Sequence, residues 1–131
     1  MQIHQSAEDY LETILMLNQR MGRVRSIDVV NELGYTKASV SIAMKKLREN
    51  GYIAVDGEGN LTLLEPGREI AERIYSRHRL LTHFFVQLGV EEDIAAEDAC
   101  KAEHILSEQT LEKIREYALL HDAENTLKKE D

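Results

Sequence analysis

Residues 100–104 read Cys-Lys-Ala-Glu-His, which places a thiol, a carboxylate and an imidazole at i, i+3 and i+4. On an α-helix Cys100, Glu103 and His104 share one face, while Lys101 points elsewhere. Thiolate, carboxylate and imidazole together suit a divalent transition metal such as Mn, Fe, Co or Zn. Three side chains do not close a coordination sphere, so other elements must contribute. Two stretches can do so: "EDYLE" sets Asp9 and Glu12 at i, i+3, and "YSRHRLL" carries His78. Each residue also has an ordinary structural explanation. Ser6 and Asp9 match a capping box, Glu12 fits a solvated charge, His78 an interface histidine, and Cys100 a small buried hydrophobe. Spacing alone leaves a ligand cluster and a polar helix surface both open. Cys100 and His104 also have the types of a nucleophile and its base, but no oxyanion-hole glycine motif accompanies them, so no enzyme activity is expected.

The elements that would carry these side chains follow from hydrophobic periodicity. Ala7, Leu11, Ile14, Leu15 and Leu17 form a helical stripe, with Ser6 as the expected N-cap and Gly22 as the stop. A second helix is expected from a Ser26 cap through Ile27, Val29, Val30 and Leu33 to Gly34, and a third carries Val40, Ala43, Met44 and Leu47 up to Gly51. The period then changes, and "YIAV" and "LTLL" flank the turn "DGEGN" as a hairpin. Pro66 fits the first turn of a long fourth helix that Gly89 ends. "EEDIAAEDACKAEHIL", with the stripe Ala95, Ala99, Ala102 and Leu106, reads as a fifth helix and "SEQTLEKIREYALL" as a sixth. The polar tail from His121 is expected to fray. The chain is therefore expected to be mainly α: a winged helix-turn-helix with a small β-hairpin wing over residues 1–65, then an all-helical domain over 66–131.

Composition bounds the setting. No run of about 18 apolar residues occurs, so no membrane association is expected, and the first residues lack the pattern of a signal peptide. The lone cysteine among 131 residues forms no internal disulfide and fits a reducing, cytoplasmic setting. A net charge of −8 argues at first against nucleic acid. Its distribution reverses that argument. Residues 1–64 carry 7 Lys/Arg and 8 Asp/Glu, a balance of −1, whereas residues 65–131 carry 9 and 16, a balance of −7. In the third helix the core positions leave Lys37, Ser41 and Lys45 opposite, flanked by Ser39 and Lys46. Small polar groups near a helix N-terminus reach base edges and lysines reach phosphates, as in a recognition helix. Thr36 at the turn, and Arg23 and Arg25 ahead of the second helix, extend this candidate DNA surface. One such unit offers few basic contacts, so a dimer reading two half-sites is expected.

"EDYLETI" at the start, "RHRLL" in the fourth helix and C-x-x-E-H in the fifth, in this order of elements, resemble the diphtheria-toxin-repressor family of metal-dependent repressors, above all its manganese-transport-regulator branch. The resemblance covers the chain to about residue 120. It implies a homodimer that binds a palindromic DNA operator when Mn(II) or Fe(II) is present and controls metal uptake, with no organic cofactor. Carried over by position, the short manganese-type members imply Asp9, Glu12, His78, Glu103 and His104 as ligands. Cys100 departs from them, since they carry glutamate there. Iron-type members have cysteine at that position but methionine where this chain has Asp9. The hybrid puts a two-metal centre in question, and the thiolate shifts preference toward Fe(II), Co(II) or Zn(II). The SH3-like domain of iron-type members is not expected here. In the implied mechanism the cation offsets the charge of the ligand set, ties helix one to helices four and five, and fixes the spacing of the recognition helices. The alternative is a winged-helix regulator that answers to a small organic ligand or to none. His4, His83 and His121 match no ligand: His83 is assigned to packing or the dimer surface, the others to solvent.

Overall fold

The computed structural model describes the backbone of residues 5–130 and the side chains of residues 5–124; His4 therefore lies outside the described residues. The order is α1 (Gln5–Met21), α2 (Ser26–Leu33), α3 (Lys37–Glu49), β1 (Ile53–Val55), β2 (Leu61–Leu63), α4 (Glu65–Gln87), α5 (Glu92–Ala102) and α6 (Glu108–Glu130). This is the mainly helical architecture that the periodicity predicts. Two compact units divide at Arg73/Ile74, inside α4, whereas the sequence reading sets its boundary at residue 65.

In the first unit, α1 packs on α2, α3 and β2. Tyr10 through Leu15 are all buried, Glu12 and Thr13 among them, so α1 runs through the core instead of lying on it. Val29, Val40, Met44, Leu47, Ile53, Leu61 and Leu63 complete that core, while Ile27 stays 43% exposed. Two expected caps are displaced. Ser6 lies within α1, and α2 is entered from Arg25, whose extended backbone (φ −118°, ψ 167°) donates its N–H to Asp28 Oδ2 at 2.9 Å. An acid three residues into the helix thus secures the start that Ser26 was expected to cap. Gly34 ends α2 in the left-handed region at φ 72°, where a side chain would be strained, and returns its N–H to Val30 O.

The hairpin pairs Ile53 with Leu63, Ala54 with Thr62 and Val55 with Leu61, antiparallel. Asp56 organises its tip: its carboxylate accepts the Asn60 and Glu58 amides, each at 2.9 Å, and Asn60 Nδ2 at 3.0 Å. Those bonds, Asn60 foremost, hold the Asp56 carboxyl below its ordinary range. The wing is also stitched to the chain ahead of α2, because Leu61 N–H donates to Val24 O at 2.7 Å. The start of α4 belongs to this unit for a steric reason. Gly67 approaches the wing so closely that a Cβ would stand 2.2 Å from the Tyr52 carbonyl oxygen.

The second unit comprises the rest of α4 with α5 and α6. Leu81, Ala99 and Leu111 are its buried centre, with Leu80, Phe85, Ala102, Leu106 and Ile114 packed around them. Ser107 caps α6, its Oγ accepting the Thr110 N–H at 3.2 Å. The helix continues to Glu130, past the tail expected to fray from His121. A polar contact accounts for part of the extension. His83 Nε2 lies 2.9 Å from Asp122 Oδ2, and Gln87 Nε2 donates to Asp122 Oδ1 at 2.8 Å and to Ala118 O at 3.1 Å. Those contacts, His83 first, hold the Asp122 carboxyl below its usual range.

Candidate metal centre and nucleic-acid interface

The predicted ligands fall into two sets. In the first unit Asp9 and Glu12 stand one turn apart on α1, Asp9 half-buried and Glu12 buried. In the second unit His78 lies on α4, Cys100 on α5, and Glu103 and His104 just beyond α5, which ends at Ala102. The uninterrupted helix expected through Leu106 is thus corrected. Glu103 nevertheless keeps helical backbone angles (φ −59°, ψ −24°) and donates its N–H to Ala99 O at 2.9 Å. The chain then tightens, with Ile105 N–H donating to Ala102 O at 3.1 Å.

Glu103 is wholly buried. Its Oε2 is 3.0 Å from His78 Nδ1, and its Oε1 is 3.4 Å from His104 Nε2, an imidazole only 2% exposed. Oε1 makes no hydrogen bond among the described residues. Taking a carboxylate fully out of water costs several kcal/mol unless opposing charge and donors offset it. Two imidazole nitrogens converging on one buried carboxylate, one of whose oxygens accepts no hydrogen bond, form a donor set that fits a divalent cation. Cys100 is exposed, which removes its reading as a buried hydrophobe.

One contributor was missed from sequence. Arg77 donates from Nη1 to the Glu103 carbonyl at 3.1 Å, and its Nη2 pairs with Glu108. A cation thereby caps the C-terminal end of α5, where its partial negative charge lies, and fixes the turn that carries Glu103 and His104. Its signal was available: it immediately precedes His78 in "RHRLL".

The candidate DNA residues all belong to the first unit and are all exposed. Lys37, Ser39, Ser41, Lys45 and Lys46 are all exposed on α3. Thr36 is its N-cap, accepting the Ser39 N–H at 3.1 Å and donating its hydroxyl to Ser39 Oγ at 2.9 Å, so part of its polarity is spent locally. Arg25 is exposed, and Arg23 Nη1 lies 4.0 Å from Glu58 on the wing. Sequence reading also passed over Ile42, which is 58% exposed among these lysines and serines.

A winged helix-turn-helix joined to a helical unit that holds a buried carboxylate–imidazole cluster defines a class: DNA-binding regulators with a built-in metal sensor. The comparisons make the family explicit. Residues 2–61 match the N-terminal DNA binding domain of the iron dependent repressors, and residues 64–120 match their metal binding and dimerisation domain. The chain belongs to the iron-dependent repressor family. It is similar to the HTH-type transcriptional regulator MJ0568 of Methanocaldococcus jannaschii, with 35% identity over 85% of this chain and 90% of that protein. It is also similar to the HTH-type transcriptional regulator MntR of Bacillus velezensis, with 31% identity over 95% of this chain and 88% of that protein. Among solved structures, a manganese-dependent transcriptional repressor in complex with manganese matches at 29% identity and a TM-score of 0.78, covering 86% of this chain. The chain spans about half the length of that structure, 52%. The family consists of transcriptional regulators. Among the described residues, no helix is long and apolar enough to cross a membrane.

Proposed function

We propose that this protein is a cytoplasmic repressor of metal uptake that binds a palindromic operator as a homodimer when Mn(II) or Fe(II) occupies its sensor. The observation that carries the reading is Glu103, a fully buried carboxylate with imidazole nitrogens at 3.0 and 3.4 Å, in a chain whose other unit presents a cationic helix. When bound, a divalent cation supplies the positive charge that the buried carboxylate lacks. His78, Glu103 and His104 would hold it, with Cys100 as a soft donor, and the family resemblance adds Asp9 and Glu12 on α1 as further ligands. The thiolate widens acceptance to Co(II) and Zn(II) in vitro.

The link to DNA runs through α1. Asp9 and Glu12 share that helix with Leu11, Ile14 and Leu15, which are buried in the core of the first unit. Helix α1 touches both α2 and α3, so whatever fixes Asp9 and Glu12 also fixes the attitude of α3. Metal and operator are then reciprocally linked, with a coupling of about 1–3 kcal/mol, or roughly 5- to 150-fold in affinity. Exposed apolar residues on the second unit, including Leu88 (61%), Tyr117 (58%) and Leu119 (63%), support its use as the dimer face.

The test is DNA binding by the purified dimer, titrated with Mn(II), Fe(II), Co(II) and Zn(II) under anaerobic, reducing conditions. Affinity is expected to rise within that range with at least one of the first two metals. The reading fails if no metal changes the affinity of the dimer for any DNA sequence it selects.

A further inference from the structure

We propose that Ile42 is the residue that makes this protein select thymine: its side chain meets the C5 methyl of one thymine in each operator half-site. The inference rests on the DNA-binding reading above and adds to it a base and the residue that reads it.

Three observations lead there. First, Ile42 holds the centre of the outward face of α3. At 3.6 residues per turn, the buried Val40, Met44 and Leu47 lie about 140–200° around the helix from it. Ile42 therefore points almost directly away from the core, as Glu49 does two turns later at the end of α3. Second, Ile42 is 58% exposed, and it is the only large apolar side chain exposed on α3. Its helical neighbours are small or cationic: Ala38 and Ser39 one turn before, Lys45 and Lys46 one turn after. Third, that surround favours a polyanion over an apolar protein partner. Lys37, Lys45 and Lys46 frame the first two and a half turns of α3, and the acidic Glu49 comes only at its end.

Chemistry then selects the base. An isoleucine side chain neither donates nor accepts a hydrogen bond, so it gains nothing from the acceptors of guanine or the amino groups of adenine and cytosine. The thymine methyl is the one apolar feature that a base pair presents in the major groove. With lysines on the phosphates to either side and Ala38 and Ser39 small enough to allow close approach, that methyl is the group Ile42 can bury.

The experiment uses the full chain with Mn(II) or Fe(II). Binding sites are selected from random duplex DNA, and each thymine of the selected site is then replaced singly by deoxyuridine, which removes only the methyl. For the unaltered protein one thymine per half-site is expected to respond, with affinity falling about fourfold, the burial free energy of one methyl group. Ile42→Ala is expected to bind thymine and uracil equally there while keeping its thermal midpoint, since the side chain is exposed. Ile42→Gln is expected to shift the selected base at that position toward adenine, which glutamine pairs with twice. The proposal is overturned if no uracil substitution weakens the unaltered protein, or if Ile42→Ala remains as sensitive as its parent. If the protein selects no sequence with any metal, the DNA-binding reading falls and this inference with it; selection without methyl sensitivity removes the inference alone.

Discussion

The two halves of the proposed ligand set are positioned by different means. Asp9 and Glu12 stand on a seventeen-residue helix anchored by six consecutive buried positions, so regular backbone alone fixes their spacing. Glu103 and His104 stand beyond the end of an eleven-residue helix, in a turn whose last carbonyls have no helical partner. There the geometry depends on another side chain, Arg77, which bonds the Glu103 carbonyl. A ligand pair inside a helix is robust to its neighbours, whereas a pair at a helix end is only as well placed as its cap.

The sharpest way to break this contrast is Glu103→Gln. It keeps the shape but removes the charge at the fully buried position. Isothermal titration is expected to show metal affinity falling by more than the roughly 10–100-fold that outer-shell losses cost, with metal-dependent DNA binding abolished. Apo stability should change little, because glutamine keeps the shape and a hydrogen-bonding side chain beside His78. If metal affinity survives within threefold, Glu103 is not a ligand.

Gly67→Ala tests the other side, where backbone contact does the positioning. The new methyl meets the Tyr52 carbonyl oxygen and the Leu11 side chain, and a backbone oxygen cannot move aside cheaply. A loss of about 1–3 kcal/mol, the usual cost of overpacking, is expected in urea unfolding of the first unit. An unchanged midpoint would show that α4 enters further from the wing.

The comparison is sharpened most directly by a pair of arginine variants. Arg77→Met should weaken metal binding about tenfold, as the loss of a supporting contact does. Arg73→Ala removes an exposed ion pair to Glu8, 3.3 Å long, next to Asp9 on α1. Surface pairs contribute roughly 0–1 kcal/mol, and α1 does not need this one to place Asp9 and Glu12. Its metal affinity should therefore change less than threefold. Equal effects from the two would erase the distinction between helix-held and cap-held ligands.

What could be read from sequence follows the same line. Gly22, Gly34, Gly51 and Gly89 mark their turns because each adopts positive φ, a demand that only a residue without Cβ meets easily. The hairpin was legible because period-two strands flank a glycine-rich tip. The end of α5 at Ala102 was not, since neither glycine nor proline marks it and Arg77 supplies the stop from elsewhere in the chain. The caps failed at Ser6 and Ser26 because the backbone, not the residue type, decides where a helix begins. Ile42 carries no polar signal of its own, although the spacing of Val40, Met44 and Leu47 already sets it on the outward face of α3. The length of α6 depended on contacts from His83 and Gln87, 39 and 35 residues from Asp122 in sequence.

The tip of the wing has one more effect. It carries Asp56 and Glu58, with Glu58 4.0 Å from Arg23, so it brings no net positive charge to a duplex. On the proposed reading, a wing of this kind releases no counterions from DNA and leaves that role to Arg25 and the lysines of α3. Because each neutralised phosphate adds about −0.9 to the slope of log affinity against log salt, this protein should show a shallow slope. A shallow slope means weak attachment to arbitrary sequence. Such a regulator spends little time on the bulk of the chromosome and tolerates swings in cellular ionic strength, leaving metal as the variable that governs when it binds.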